Sequence, residues 1–410
     1  MSCEKWDTFK FNEATLNLDK KRVPLSGSQR ANRKGKYPYY GAQGVIDYID
    51  DYLYDGTYLL IAEDGENLRS KKQNIATLAK GRFWVNNHAH IINSNQWSDI
   101  TFLFYLINSM DLSGYITGSA QPKLSQANLN NIVLALPPLP EQRAIAATLS
   151  CLDDKIELNN RMNKTLEEMA QAIFKSWFVD FEPFQDGEFV DSELGRIPKG
   201  WRVGTLGELV ETSKAGNWGK DSKEGNYTEQ VLCIRGADIP EIQNGESGKM
   251  VCRYILPKNL TKRLFANSIV VEISGGSPTQ STGRIAFITH EFLSRFPIPV
   301  ICTNFCKALG TSVYFGEYVY FRWQMLYTDG ILFNYENGTT GIKNFDISNF
   351  LSKHLVVIPP VEVAKAFSSI AADLMQMIVS NGMQNATIRT IRDSLLPKLM
   401  SSEIRVPINP

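Results

Sequence analysis

Neither sign of charge prevails in this chain: 43 Lys and Arg stand against 43 Asp and Glu in 410 residues, with only 4 histidines. A small autonomous DNA-binding domain usually carries a basic excess. A neutral chain can still bind DNA where its charge is focal and much of its remaining surface meets protein. Cysteine is sparse too. The six (Cys3, Cys151, Cys233, Cys252, Cys302, Cys306) form no CxxC pair, which excludes a disulfide framework. Cys302 and Cys306 have no second pair at zinc-site spacing, so buried thiols are expected rather than a metal site. Long apolar runs are missing: no stretch approaches the roughly 18 apolar residues that cross a bilayer. The start, MSCEKWDTFKF, lacks the basic-then-apolar pattern of a signal peptide. A cytoplasmic protein with no membrane contact is expected.

Catalytic signatures are absent as well. The methyltransferase tetrapeptide, Asn or Asp before Pro-Pro and an aromatic, does not occur; LPPL and IPPV lack its polar residue. QNGESGKM has its glycines at the wrong spacing for a phosphate loop, and neither HExxH nor GxSxG is present. Asp153-Asp154-Lys155 resembles part of a nuclease set but sits in a helical pattern, where a solvated charged face is expected. His88 and His90 would share one face of a strand, without an evident third ligand. No cofactor and no metal are expected.

What is present is a repeat. Pro137 and Pro138 match Pro359 and Pro360 at an offset of 222, and Leu152, Ile156, Asn159 and Asn163 then meet Leu374, Ile378, Asn381 and Asn385. Trp6, Phe11 and Glu13 match Trp201, Leu206 and Glu208 at an offset of 195, so the second copy is longer by 27 residues. Each copy reads as a globular half followed by a long helix. YLLIA (58–62), FWVNNHAHII (83–92), SIVVEI (268–273) and GRIAFIT (283–289) predict strands. DITFLFYLINSM (99–110) predicts a short buried helix, with a strand as the alternative, and a helix is expected near 318–327. The fold class is α+β.

The helical halves carry heptad seams. In the first copy these are Ile145, Leu149, Leu152, Ile156, Asn159, Asn163, Leu166, Ala170, Ile173 and Trp177. The second has Phe367, Ala371, Leu374, Ile378, Asn381, Asn385, Ile388, Arg392, Leu395 and Leu399. Each helix covers about 40 residues, or roughly 60 Å, and two equal seams most simply bury each other. Antiparallel packing places Asn159 by Asn385 and Asn163 by Asn381, where polar seam positions would fix register. Parallel packing would set Asn159 near Asn381; a widened, hydrated centre is the bland alternative.

LPPLPEQRAIAATLSCLDDKIELNN, followed by AQAIFKSWFVDFEPF and SELGRIPKGW, closely resembles the specificity (S) subunit of Type I restriction–modification enzymes, and the likeness extends to the two-copy layout. It implies two target-recognition domains, 1–138 and 201–360, each reading one part of a bipartite asymmetric site in double-stranded DNA. It implies that spacer helices 139–182 and 361–410, joined by a linker at 183–200, form an antiparallel coiled coil. That pair would set the spacing and hold two methyltransferase (M) subunits, with restriction (R) subunits joining the M2S1 complex. The chain itself would be non-catalytic. A stand-alone nuclease, or another enzyme with an unrecognised catalytic set, is the alternative.

The densest positive stretch is 20–41, where Lys20, Lys21, Arg22, Arg30, Arg33, Lys34 and Lys36 occur without an acid and Tyr37, Tyr39 and Tyr40 follow. Such a run can neutralise phosphates and read guanine edges, or it can be a solvated loop. Arg69, Lys71 and Lys72, with Lys80 and Arg82 nearby, form a second cluster. In the second copy SGGSPTQSTGR (274–284) offers Thr279, Gln280, Ser281 and Arg284 as DNA contacts, and is equally suited to an ordinary strand connection. Lys249, Arg253, Lys258, Lys262 and Arg263 make a looser basic group. Glu141, Gln142 and Arg143 sit where they could fix the first helix to its domain.

Overall fold

The computed structural model describes residues 6–119, 121–277, 279–338 and 342–407; Cys3 lies outside the described residues. The chain divides into two compact units, Met1–Asp154 with Ile388–Pro410 and Lys155–Thr387. Both are mixed α/β.

The first unit has strands β1 (Asp7–Lys10), β2 (Thr15–Asn17), β3 (Lys34–Gly41), β4 (Gly44–Ile49), β5 (Tyr54–Ala62), β6 (Ala76–Val85) and β7 (Ala89–Ser94). Helix α1 (Ile100–Ser109), strand β8 (Val133–Leu136) and the long helix α2 (Leu139–Phe178) follow. A sheet runs β2-β7-β5-β6-β3-β4, while β1 pairs with β8. Asp99 caps α1 by accepting from the Thr101 and Phe102 amides, as a carboxylate does at the positive end of a helix. Apolar residues of α1 (Phe102, Leu103, Leu106) join Phe11, Leu59 and Ile61 in one buried cluster.

The second unit has β9 (Arg202–Thr205), β10 (Val210–Ala215), β11 (Glu229–Ile234), β12 (Val251–Ile255), β13 (Ser268–Glu272), β14 (Ile285–Ile288), β15 (Val300–Cys302) and β16 (Cys306–Thr311). Helix α3 (Gly316–Thr328), strand β17 (Leu355–Ile358) and the long helix α4 (Val361–Met400) complete the chain. One sheet runs β10-β16-β13-β14, another β12-β11-β15, and β9 pairs with β17.

The repeat is built into these pairings. The order β2-β7-β5-β6 recurs as β10-β16-β13-β14, antiparallel at every step. Asp7 lies opposite Leu136 and Arg202 opposite Ile358, so the offsets of 195 and 222 relate the two pairs residue for residue. The segment expected as one strand over 83–92 is two. Asn86–His88 form a turn between β6 and β7, pinned by the Asn86 side chain accepting from the His88 amide at 2.8 Å. His88 is therefore exposed and paired with Asp64, whereas His90 is buried against Asp19 and Leu124, so the two share no face.

Within each unit the long helices run antiparallel. In the first, Ile145 and Leu149 share a cluster with Leu395 and Leu399, and Arg392 donates to Asp153 at 2.7 Å. Asp153 also accepts from the Tyr105 hydroxyl at 2.6 Å, which gives this carboxylate a structural task. In the second unit Asn159 Nδ2 donates to Asn385 Oδ1 at 2.9 Å, and Asn381 Nδ2 to Asn163 Oδ1 at 2.8 Å. Farther along α2 the buried positions are Phe174 and Phe178, while Ile173 and Trp177 are only partly buried. The contact line drifts because a straight helix turns every 3.6 residues, not 3.5.

Gln142 is fully buried. Its carbonyl accepts from the Asp99 amide at 2.9 Å, and its amide nitrogen Nε2 donates to the Trp97 and Pro137 carbonyls, locking α2 to the first sheet domain. By length and hydropathy α4 would pass for a membrane span, contrary to the sequence expectation. Along it, however, Ala364, Phe367 and Ala371 are buried in one apolar cluster and Leu399 in another.

Candidate nucleic-acid interface

The basic run 20–41 does not stay free of acids once folded, because β3 pairs with β4 and brings Asp47, Asp50 and Asp51 beside it. Arg30 and Lys34 both meet Asp47, at 3.2 and 2.6 Å, and Arg33 meets Asp50 at 2.9 Å. Lys34 donating to Asp47 holds its carboxyl below the usual carboxylate range. Arg22 points inward, donating to Glu63 and to the carbonyls of Asn87 and Ala89. Lys20, Lys21 and Lys36 are exposed.

Two clusters separated in sequence are brought together. Lys36 Nζ lies 5.3 Å from the centre of the Tyr37 ring, Tyr37 packs on Tyr52 at 5.1 Å, and the Arg82 guanidinium lies 4.8 Å over Tyr52. Lys80 is exposed on β6, two residues from Arg82. The outcome is a cation–aromatic platform, suited to phosphate on its cations and to a sugar or base on its rings. Arg82 is also tied to Asp55 at 3.0 Å. In the other cluster Arg69 donates to the Gly118 and Ser119 carbonyls and Lys71 lies 3.6 Å from Asp111; Lys72 is exposed.

In the second unit the loop after β13 splits by role. Arg284 grips Glu272 through two nitrogens at 2.8 and 2.6 Å, and Ser281 is buried with its hydroxyl on the Thr282 carbonyl. Thr279 and Gln280 are exposed. Gln280 lines a polar cleft of about 470 Å³ with Lys164, Gln243, Gln324 and Tyr327. The looser basic group is also divided. Arg253 is buried over the Trp218 ring at 4.2 Å and paired with Asp221. Lys262 donates to the Gly216 carbonyl at 3.0 Å. Arg263 stacks 4.9 Å over the exposed Phe265, and Lys214 comes within 5.7 Å of the same ring. Lys249 and Lys258 are exposed. Trp218 and Phe265 carried no signal in the sequence beyond being aromatic; only the fold places cations on them.

The remaining chemistry is quiet. Burial pushes the Cys233 and Cys306 thiols up to about 12 and raises Cys302 as well, so these are neutral packing groups. Cys302 and Cys306 are buried as expected, while Cys151 and Cys252 are exposed. Among the described residues no group of three His, Cys, Asp or Glu is placed to hold a metal ion.

A family model described as the Type I restriction modification DNA specificity domain matches residues 3–168. The MjaIX specificity subunit of Methanocaldococcus jannaschii, a type I restriction enzyme component, is 30% identical over 319 residues, covering 74% of this chain and 69% of its own length. This chain belongs to the type I restriction enzyme specificity subunits. The HindI specificity subunit of Haemophilus influenzae is 26% identical, with 74% of this chain and 77% of that protein covered. A crystal structure of the type I S subunit from M. genitalium shares the fold at a TM-score of 0.60 and 15% identity, over 97% of each chain. Members of the family are non-catalytic DNA sequence-recognition subunits, and an independent enzyme is not favoured for this one.

Proposed function

We propose that residues 1–138 read one part of a bipartite DNA site and residues 201–360 the other. The helices α2 and α4 then set the gap and carry two methyltransferase subunits, which restriction subunits join. The observation that carries this reading is the strand order repeated in both units while the loops around it differ: one scaffold presents two unlike sets of side chains. Apolar residues left exposed on the helices, Leu158, Met162 and Met169 on α2 and Ile370, Met377 and Met383 on α4, support protein docking there.

The first half is proposed to meet DNA through Lys36, Arg82 and the rings between them, with Lys20, Lys21, Lys72 and Lys80 as further phosphate contacts. Thr279 and Gln280 are the proposed readers of the second half. The Asn159, Asn163, Asn381 and Asn385 layer is proposed to hold register. Lys36→Ala with Arg82→Ala tests the platform in the assembled complex on a duplex carrying its mapped site. The slope of log affinity against log salt is expected to fall by about 2 for two lost phosphate contacts. An unchanged slope would place the DNA elsewhere on this unit.

A further inference from the structure

The two long helices depart from the repeat in the middle of the seam. At the offset of 222, Asn160 of α2 corresponds to Gly382 of α4, and glycine is the weakest helix former after proline. The exception has a steric cause. Gly382 is buried, and a Cβ on it would lie 2.2 Å from the carbonyl carbon and oxygen of Gly245. Gly245 has φ +79°, and a Cβ there would lie 2.1 Å from the Ile378 carbonyl oxygen. Two backbones meet with no side chain between them.

Hydrogen bonds close around this contact. Asn163 Nδ2 donates to the carbonyls of Asn244 at 2.9 Å and Ile378 at 3.3 Å. Asn244 Nδ2 donates to Asn160 Oδ1 at 3.2 Å. Arg295 Nη2 bridges the Gly245 and Val379 carbonyls at 2.8 and 3.1 Å. Immediately before this loop, Gln243 Nε2 donates to the Ile285 carbonyl of β14 at 2.9 Å, tying the loop to the second domain's sheet. The asparagine layer therefore grips a loop of the recognition domain as well as the opposite helix.

Resting on the recognition reading above, we infer that the Gly245–Gly382 contact is a positional lock. It fixes the second recognition domain at one height and rotation on the helix pair, and so holds the gap in the DNA site to one length. Sliding the loop one residue along α4 moves it 1.5 Å and turns the helix by about 100°, which would set a side chain against Gly245 in place of glycine. A slip of two residues, about 3 Å, is close to one base pair, given about 34–36 Å per turn of 10–10.5 pairs. Gly382 and Arg295 are positioning residues here and touch no DNA.

The test uses the full chain with its methyltransferase partners, in Gly382→Ala and, without added volume, Arg295→Gln. Amide exchange over residues 240–247 is expected to be about tenfold faster in both. Methylation mapping is expected to find sites with gaps one base pair longer or shorter beside the original, with both half-site sequences unchanged. Unchanged exchange in both variants overturns the lock, and faster exchange with a single gap overturns its link to spacing. If Gly382→Ala does not fold, Arg295→Gln carries both readouts. Absence of any bipartite methylated site with the unaltered chain contradicts the recognition reading instead, and exchange then decides the lock.

Discussion

Arg284→Ala is expected to destabilise the second unit by about 3–5 kcal/mol, because it strands a buried carboxylate. Glu272 is 5% exposed, and among the described residues Arg284 is the side chain that holds its two oxygens. Glycines crowd it: Cβ atoms on Gly236 and Gly275 would lie 2.5 and 2.9 Å from Glu272 Oε1. The carboxylate therefore has little room to turn toward water. Adding Glu272→Gln should restore part of the loss in urea unfolding, since a neutral amide costs less to bury. Gln280→Ala, at an exposed position on the same loop, should leave stability within about 0.5 kcal/mol. Equal losses in Arg284→Ala and Gln280→Ala would refute this division between a supporting and a reading residue.

Phe367→Ala should cost about as much, 3–5 kcal/mol or so, for a different reason. Its ring is fully buried where α4 meets α2, with edge-on contacts to Phe178 at 5.1 Å, Phe174 at 5.6 Å and Phe321 at 5.7 Å. With Trp177 at 6.2 Å, four rings lose a partner and a cavity opens among residues that cannot all close in. Met377→Ala on the same helix removes a half-exposed side chain and should change stability by about 0.5 kcal/mol or less. A Phe367→Ala variant no less stable than Met377→Ala would mean that this end of the helix pair is not held by its aromatic cluster.

Much of the fold was readable because it rests on local periodicity and on the duplication. The offsets read from Trp6 and Trp201, and from the two Pro-Pro pairs, recur in the register of β1 with β8 and β9 with β17. Both long helices follow from their apolar spacing. The contact surface was less readable, since pairing across a sheet decides it. Nothing near Arg30 and Lys34 in sequence shows that Asp47 will neutralise them, or that Tyr52 will bridge Tyr37 to Arg82. Arg284 looked like a reader in a flexible loop, and the fold shows that it is also the partly exposed ion-pair partner of buried Glu272. The glycine at 382 carried no signal in the sequence, since its meaning depends on Gly245, far away in sequence and adjacent in space.

Mapping methylated bases in cells that express this chain with its methyltransferase partners puts the duplicated-reader account at greatest risk. A split site is expected, and replacing residues 1–138 with the equivalent segment of another family member should change one part of it while the other part and the gap persist. An undivided site, or one in which both parts change together, would contradict the account.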